Sequence, residues 1–286
     1  MIVFLNNEYM PADAAKISPL DRGFLYGDGV YEVTPSYGGR MVGFNLHLQR
    51  MKRGLAEIGF AADVLSDEQW HDIASGLIER NGKGNLGVYF QISRGNEGRR
   101  FHGFPKNTPA TVFGMVIDID AHPNCTNRAD KKGLKVALAE DRRWRRCQVK
   151  STSLLGNVLH FQEGYEKGLD ETLLYNQRGE LTEASQSNVF VVKDGVVMTP
   201  PLDTQILPGI SRHITLEVLR ADGSIPVEER VLTMDEVREA DEIWTTNSSK
   251  QIAPVVELSG ARVGDGEVGE LWERAIRLYE AKKYTF

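Results

Sequence analysis

Cysteine is scarce in this chain of 286 residues: there are two, Cys125 and Cys147, and neither belongs to a CxxC pair. Two cysteines so placed build no disulfide framework, which points to a reducing, cytoplasmic setting. Long apolar runs are missing too. No run of about 18 apolar residues occurs, so no membrane-spanning helix is expected. The opening MIVFLNNEYMP lacks the basic and apolar regions of a signal segment. Positive charge is not in excess: the formal net charge is -6, the wrong sign for a general nucleic-acid binder. Whole motif classes are also absent. The histidines show no HExxH or other metal-ligand pairing, and there is no GxxxxGK(S/T) loop, no GxGxxG after a strand and no GxSxG elbow. Common metalloenzyme, nucleotide-binding and serine-hydrolase classes are thereby set aside.

What is present is a globular composition, 41% hydrophobic and 26% charged, at a length that suits one large domain or two ordinary ones. Met1–Leu5 and Tyr9–Met10 read as a hairpin around Asn6-Asn7. Gly29–Ser36 and Arg40–Phe44 read as a strand pair about Gly38-Gly39. Leu46–Ile58 is amphipathic, with Asn45 as its N-cap. Ser66–Asn81 carries a Ser66/Gln69 capping box, and Trp70, Ile73, Ala74, Leu77 and Ile78 line one face. Leu86–Ser93 and Thr111–Ile119 read as strands. The polar stretch Asp120–Gly133 has no periodicity and reads as a linker between an N-terminal domain, 1–119, and a C-terminal one, 134–286. Beyond it come a strand (Leu134–Ala139), a helix (Ser153–Lys167), a strand (Glu171–Tyr175) and a hairpin about Asp194-Gly195. A helix then opens after Pro208-Gly209. A strand, a short helix with a Thr233/Glu236 box, a further strand and a final helix from about Glu267 end the chain. The order fits two α+β domains with antiparallel or mixed sheets.

The stretch EDRRWRRCQVKSTSLLGNVL, Glu140 to Leu159, packs four arginines ahead of a single lysine, Lys150. A lysine that can lose its proton forms Schiff bases with aldehydes, pyridoxal phosphate among them. Such a cofactor needs an acid at its ring nitrogen, an anion site for its phosphate and a trap for the substrate. Glu183, in LTEASQSNVF, offers the acid. Pro208–Ser211 offers a helix start with the Ser211 hydroxyl, and Thr245–Ser249 offers hydroxyls after a strand. His47 and Arg50 share a helix face, and Arg100 and His102 lie on a Gly-rich loop. Taken singly, each has a plainer reading: a solvated lysine, the polar face of a helix, a Ser/Asn turn, a wetted charge run. Cys147 reads as a small buried residue.

In order and together, DRRWRRCQVKSTSLL, LTEASQSNVF, LPGISR and the hydroxyl-rich turn before the APV segment resemble the fold-type IV pyridoxal-phosphate enzymes. The resemblance runs from about Asn6 to Gly260. It implies a smaller N-terminal α/β domain, a larger C-terminal domain with a barrel-like mixed sheet, and a homodimer. Lys150 becomes the Schiff-base lysine and proton shuttle, and Glu183 the partner of the pyridine nitrogen. Arg50, Ile210, Ser211 and Ser248 become phosphate ligands. Ser187 and Asn188 line the ring, and Arg143 becomes a supporting cation.

GDGVYEV, with Tyr31, resembles the D-amino-acid aminotransferase branch, in which an Arg-x-His on the long loop joins the strand tyrosine to capture the α-carboxylate. Arg100-Phe101-His102 matches it. Tyr31, Arg100, His102 and Ser249 are then the substrate-binding residues. Two departures stand out. The loop RGNEGRRFH is one residue longer than that pattern, so Arg99 competes with Arg100, and Thr34-Pro35-Ser36 replaces the usual strand residues. The activity implied is ping-pong transamination of D-alanine or D-glutamate with a 2-oxo acid acceptor. An (R)-selective amine transaminase and an aminodeoxychorismate lyase are the alternatives. No nucleic acid, metal or membrane partner is expected.

Overall fold

A computed structural model describes residues 1–61, 63–119 and 125–286 of the chain. Two compact units emerge: Met1–Ala121 with Val149–Leu154 and Phe286, and His122–Gln148 with Leu155–Thr285. Of the expected linker 120–133, residues 120–124 lie outside the described residues. Its later part holds a short 3-10 turn, Arg128–Asp130, in which Ala129 N donates to Asn127 Oδ1 at 3.1 Å. The segment that carries Lys150 belongs with the first unit, although it follows the linker in sequence.

The first unit is an antiparallel sheet of β1 (Ile2–Leu5), β2 (Glu8–Pro11), β3 (Gly29–Tyr37), β4 (Arg40–Met41), β5 (Asn85–Ser93) and β6 (Thr111–Asp118), in the order β2-β1-β6-β5-β3-β4. Asn6 and Asn7 both take positive φ, as a tight two-residue hairpin requires. Three helices accompany the sheet: α1 (Arg22–Tyr26), α2 (Phe44–Glu57) and α3 (Asp67–Asn81). The Ser66/Gln69 box caps α3 in both directions, and its stripe Trp70, Ile73, Ala74, Leu77 and Ile78 is buried, with Trp70 edge-on to Phe90 at 5.0 Å. One expectation fails. The strand reading of Val42–Phe44 and the cap at Asn45 both give way, because Gly43 turns left-handed (φ 61) and α2 starts at Phe44 with no side-chain cap.

The second unit holds β7 (Leu134–Glu140), α4 (Leu155–Tyr165), β8 (Glu171–Tyr175), β9 (Leu181–Ala184), β10 (Asn188–Lys193), β11 (Val196–Thr199), α5 (Ile210–Asp222), β12 (Val227–Glu229), α6 (Met234–Arg238), β13 (Glu242–Asn247), β14 (Gln251–Leu258), β15 (Ala261–Arg262) and α7 (Glu270–Lys282). Its sheet runs β12-β11-β10-β13-β14-β7-β8-β9, with β15 beside β14. Three pairs are parallel (β7–β8, β7–β14 and β11–β12) and the rest antiparallel. The sheet curls until its last strand returns to the start of β10, where Ala184 N donates to Ser187 O at 2.7 Å. The fold is therefore α+β with a curled mixed sheet in the larger unit. Asp194 (φ 49) and Gly195 (φ 79) make the expected hairpin turn. The helix expected from Ser153 starts at Leu155, because Ser151 and Ser153 are used in turn bonds. The final helix starts at Glu270, where Glu242 accepts from the N–H groups of Leu271 and Trp272. Among the described residues no helix is long and apolar enough to cross a membrane.

Candidate active site

In the first unit the Lys150 segment is stitched onto β3. Tyr31 N donates to Lys150 O at 2.9 Å, Thr152 N donates to Gly29 O at 3.1 Å, and Ser151 bridges Val30. Gly27 makes the close approach possible. It sits at φ 63, and a Cβ there would come within 2.4 Å of Ser153 Oγ. The stitching delivers Lys150 Nζ to the Tyr31 hydroxyl at 3.2 Å. Tyr31 in turn stacks on Tyr89, ring centres 5.6 Å apart. Burial, with the neighbouring Tyr31, pushes the Tyr89 phenol up, so it remains a neutral wall.

Behind Tyr31, on the inward parity of β3, Glu32 meets α2. Its Oε1 accepts from Arg50 Nε at 2.7 Å, and its Oε2 accepts from Arg50 Nη2 at 2.7 Å and from His47 Nδ1 at 2.8 Å. Burial opposes the charge on Glu32, yet Arg50 and His47 outweigh it and hold the carboxyl far below its usual range. Burial lowers His47, so its imidazole is neutral and its Nδ1 carries the proton given to Glu32. The His47/Arg50 face expected from the helix spacing is thus real, but it is buried rather than a wetted polar face.

The loop after β5 places both candidate carboxylate ligands against Tyr26. The Arg100 guanidinium lies 5.5 Å from its ring centre and the His102 ring 5.3 Å, and both side chains are exposed. Arg99 turns elsewhere, over Phe101 and toward Glu97 Oε2 at 3.4 Å.

In the second unit the separate motifs are wired together. Glu183, buried on β9, receives the Arg143 guanidinium on Oε1. On Oε2 it accepts from Leu207 N at 3.0 Å and Asn188 Nδ2 at 3.1 Å. Burial pushes this carboxyl up, and Arg143 and the Leu207 N–H pull it back. Arg143 also holds Asp141, Nη2 to Oδ2 at 2.7 Å; burial works against its charge, but Glu183 and Asp141 outweigh that and raise its pKa. Its companions Arg142, Arg145 and Arg146 are exposed, so the charge run is wetted surface except at Arg143. Burial also pushes the Cys147 thiol up to about 12, which leaves a protonated side chain and no nucleophile.

Asn188 ties Glu183 to the Pro208–Ser211 turn by donating to Leu207 O at 2.8 Å, and it lies so close to Gly209 that a Cβ there would be 1.9 Å from Asn188 Oδ1. Gly209 opens α5 with no capping side chain, and Ile210 and Ser211 form its buried first turn. Ser211 Oγ donates to Asn247 O at 2.9 Å, Asn247 Nδ2 donates to Ser187 Oγ at 2.9 Å, and Ser187 Oγ donates to Glu171 Oε2 at 3.1 Å. Ser248 is half-buried in the turn after β13, and Ser249 is exposed there with its hydroxyl on Asn247 Oδ1 at 3.2 Å.

A family profile described as Amino-transferase class IV matches residues 29–258. The chain belongs to the class IV aminotransferases. Enzymes of this class depend on pyridoxal phosphate. The class IV chain is 34% identical over 272 residues to the D-alanine aminotransferase of Listeria monocytogenes, a match that spans 95% of this chain and 92% of that protein. The branched-chain amino acid aminotransferase of Escherichia coli superposes with a TM-score of 0.90 over 99% of this chain and 94% of that one, at 22% identity. A hypothetical aminotransferase from Mycobacterium tuberculosis, in a PLP-bound form, gives 0.84 over 100% and 99%, at 21% identity. At such identities the likeness fixes the fold alone.

Six members of these networks escaped the sequence reading: Glu32, Tyr89, Asp141, Glu171, Asn247 and Tyr26. Only Glu32 left a usable signal, a charged residue at an inward strand position between Val30 and Thr34.

Proposed function

We propose that this class IV aminotransferase moves amino groups between D-amino acids of the D-alanine or D-glutamate type and 2-oxo acids, by a ping-pong sequence with pyridoxal phosphate. The observation that carries the reading is the pairing of Lys150 Nζ with Tyr31, in the same unit as Arg100 and His102 gathered on Tyr26. The likeness to D-alanine aminotransferases over nearly the whole chain supports it.

The residues present fit the cofactor. Glu183 is a buried carboxylate backed by a guanidinium, α5 opens on an uncapped glycine, and the buried Thr246 hydroxyl has no partner among the described residues. Glu183 would hold the ring nitrogen, Ser187 and Asn188 would line the ring, and Arg50, Ile210, Ser211 and Ser248 would hold the phosphate. Bound pyridoxal phosphate supplies an electron sink for the pair left behind when the substrate α-carbon loses its proton. Lys150 Nζ would hold the cofactor aldehyde and would be the base that takes the substrate α-proton. The Tyr31 hydroxyl, 3.2 Å away, orients the amine for it. Arg100 and His102, with Tyr31 and Ser249, grip the substrate. The exposed guanidinium of Arg100 suits a carboxylate better than Arg99, which is engaged with Glu97. The working form is a cytoplasmic homodimer, each chain divided into 1–119 and 134–286 by the 120–133 linker.

One half-reaction tests this. D-alanine added without acceptor should bleach the yellow holoenzyme and release pyruvate once per site, and Lys150→Ala should abolish both. A colour that ignores D-alanine yet bleaches with (R)-1-phenylethylamine would transfer the protein to the amine branch. Pyruvate from an aminodeoxychorismate substrate with no acceptor present would make it a lyase.

A further inference from the structure

Arg22 is 3% exposed, has no place in the proposed chemistry, and nonetheless binds one short loop at many points. It opens α1, a helix pinned by its cap residue: Asp21 accepts from Gly23 N at 2.8 Å, from Ser93 Oγ at 2.6 Å on β5 and from Thr111 Oγ1 at 2.6 Å on β6. From that anchor Arg22 Nη1 donates to Phe101 O at 2.6 Å, Gly103 O at 3.2 Å and Glu97 Oε1 at 3.2 Å, and Nη2 donates to His102 O at 3.3 Å. Three successive carbonyls, those of Phe101, His102 and Gly103, thus point at one guanidinium just after Arg100. Nε is spent on Asp28 Oδ2 at 2.7 Å.

Asp28 also binds Arg94 Nε at 3.0 Å, and Arg94 fixes the root of the same loop. Its Nη groups donate to Ile58 O and Gly59 O, and its face lies 3.8 Å from the Phe104 ring centre. Two cations, Arg22 and Arg94, thus stand against two anions, Asp28 and Glu97. The same Arg22 guanidinium lies 4.9 Å from the Tyr26 ring centre, so the ring beside Arg100 and His102 also meets the residue that binds the loop carbonyls.

We infer that Arg22 is a positioning residue for the substrate-carboxylate trap: it sets the loop conformation that presents Arg100 and His102. The inference rests on the trap assigned above. A planar fork can serve carbonyls and carboxylates spread over one plane, whereas an ammonium on a flexible stem serves a single point. Arg22→Lys therefore keeps the charge and loses the alignment.

The test uses holoenzyme and the D-alanine half-reaction, with Arg22→Lys, Arg100→Ala and the double variant, and with cofactor absorbance as the check that the site is loaded. Arg100→Ala is expected to weaken the apparent affinity for D-alanine, and Arg22→Lys to weaken it by roughly ten- to hundredfold at a little-changed limiting rate. The double variant should be no worse than Arg100→Ala alone, a coupling that general destabilisation does not produce. If Arg22→Lys leaves the D-alanine affinity unchanged, or the two losses simply multiply, the inference is overturned and the trap survives. If Arg100→Ala itself has no effect, the trap assignment fails, and the inference with it. Should Arg22→Lys not load cofactor, Glu97→Gln, which removes the loop's own anion from Arg22, carries the same test. A smaller loss of D-alanine affinity is expected, and no loss overturns the inference.

Discussion

Removing the Glu32 carboxylate is the sharpest probe of how the first unit is held together. Glu32 and Arg50 are 2% and 4% exposed, and the bidentate contact between them is closed on the third side by neutral His47. Glu32→Gln keeps the shape and leaves the Arg50 cation in a buried place without its counter-charge. Breaking one side of a buried ion pair costs about 3–5 kcal/mol, a large part of the roughly 5–15 kcal/mol that holds a domain folded. With a urea slope of about 1–3 kcal/mol/M, the midpoint of the transition that exposes the first unit should fall by roughly 1–5 M. Trp70, 1% exposed in that unit's core, makes fluorescence a suitable reporter. The double replacement Glu32→Leu with Arg50→Met removes both charges and should recover most of the loss in apoprotein. The pH dependence carries the same sign. The folded pKa of Glu32 lies below its unfolded value, so the stabilisation is complete above the unfolded pKa, about 4.3. It is lost as pH falls through the folded value, and the Gln variant should lack that acid-side loss. A Glu32→Gln midpoint within about 0.3 M of the parent would refute the reading of this contact as a stabilising buried charge pair.

Gly209→Ala would drive a methyl into Asn188 Oδ1, 1.9 Å away, and displace the amide that donates to Glu183 and Leu207; weaker retention of cofactor on dialysis is the expected outcome. Glu183→Gln should leave the protein folded and coloured but slow the D-alanine half-reaction by at least tenfold, read by stopped flow. Trp70→Ala should cost about 3–5 kcal/mol in unfolding experiments, as for other large aromatic truncations in a closed core. Ser66→Ala removes one arm of the α3 box and should cost about 1 kcal/mol.

Much of the architecture was legible because its causes are short-ranged. The Asn6-Asn7 and Asp194-Gly195 turns depend on residues that accept positive φ, and the Ser66/Gln69 and Thr233/Glu236 boxes lie within one turn of helix. The apolar stripe of α3 repeats at helical spacing for the same local reason. Where two short-range signals competed, the reading slipped: Asn45 looked like a cap, but Gly43 had already turned the chain. Pro35 sits inside β3 where β4 covers only Ser36 and Tyr37, so the strand has a sheet partner on one side there, the setting in which a strand proline is tolerated.

The candidate site divides along the same line. Its motifs are plain along the chain: a lysine before a serine-rich turn, a glutamate before SQSN, a glycine opening α5, an Arg-x-His on a long loop. Their partners follow from how the sheets and helices pack. Glu32 meets Arg50 across the β3–α2 packing, Arg22 reaches carbonyls some 80 positions away along the chain, with a separation of 80 to His102, and Glu183 collects donors from Arg143, Asn188 and Leu207. A charge pair is selected by burial and distance after the sheets have closed, and neither quantity has a period that a linear chain displays.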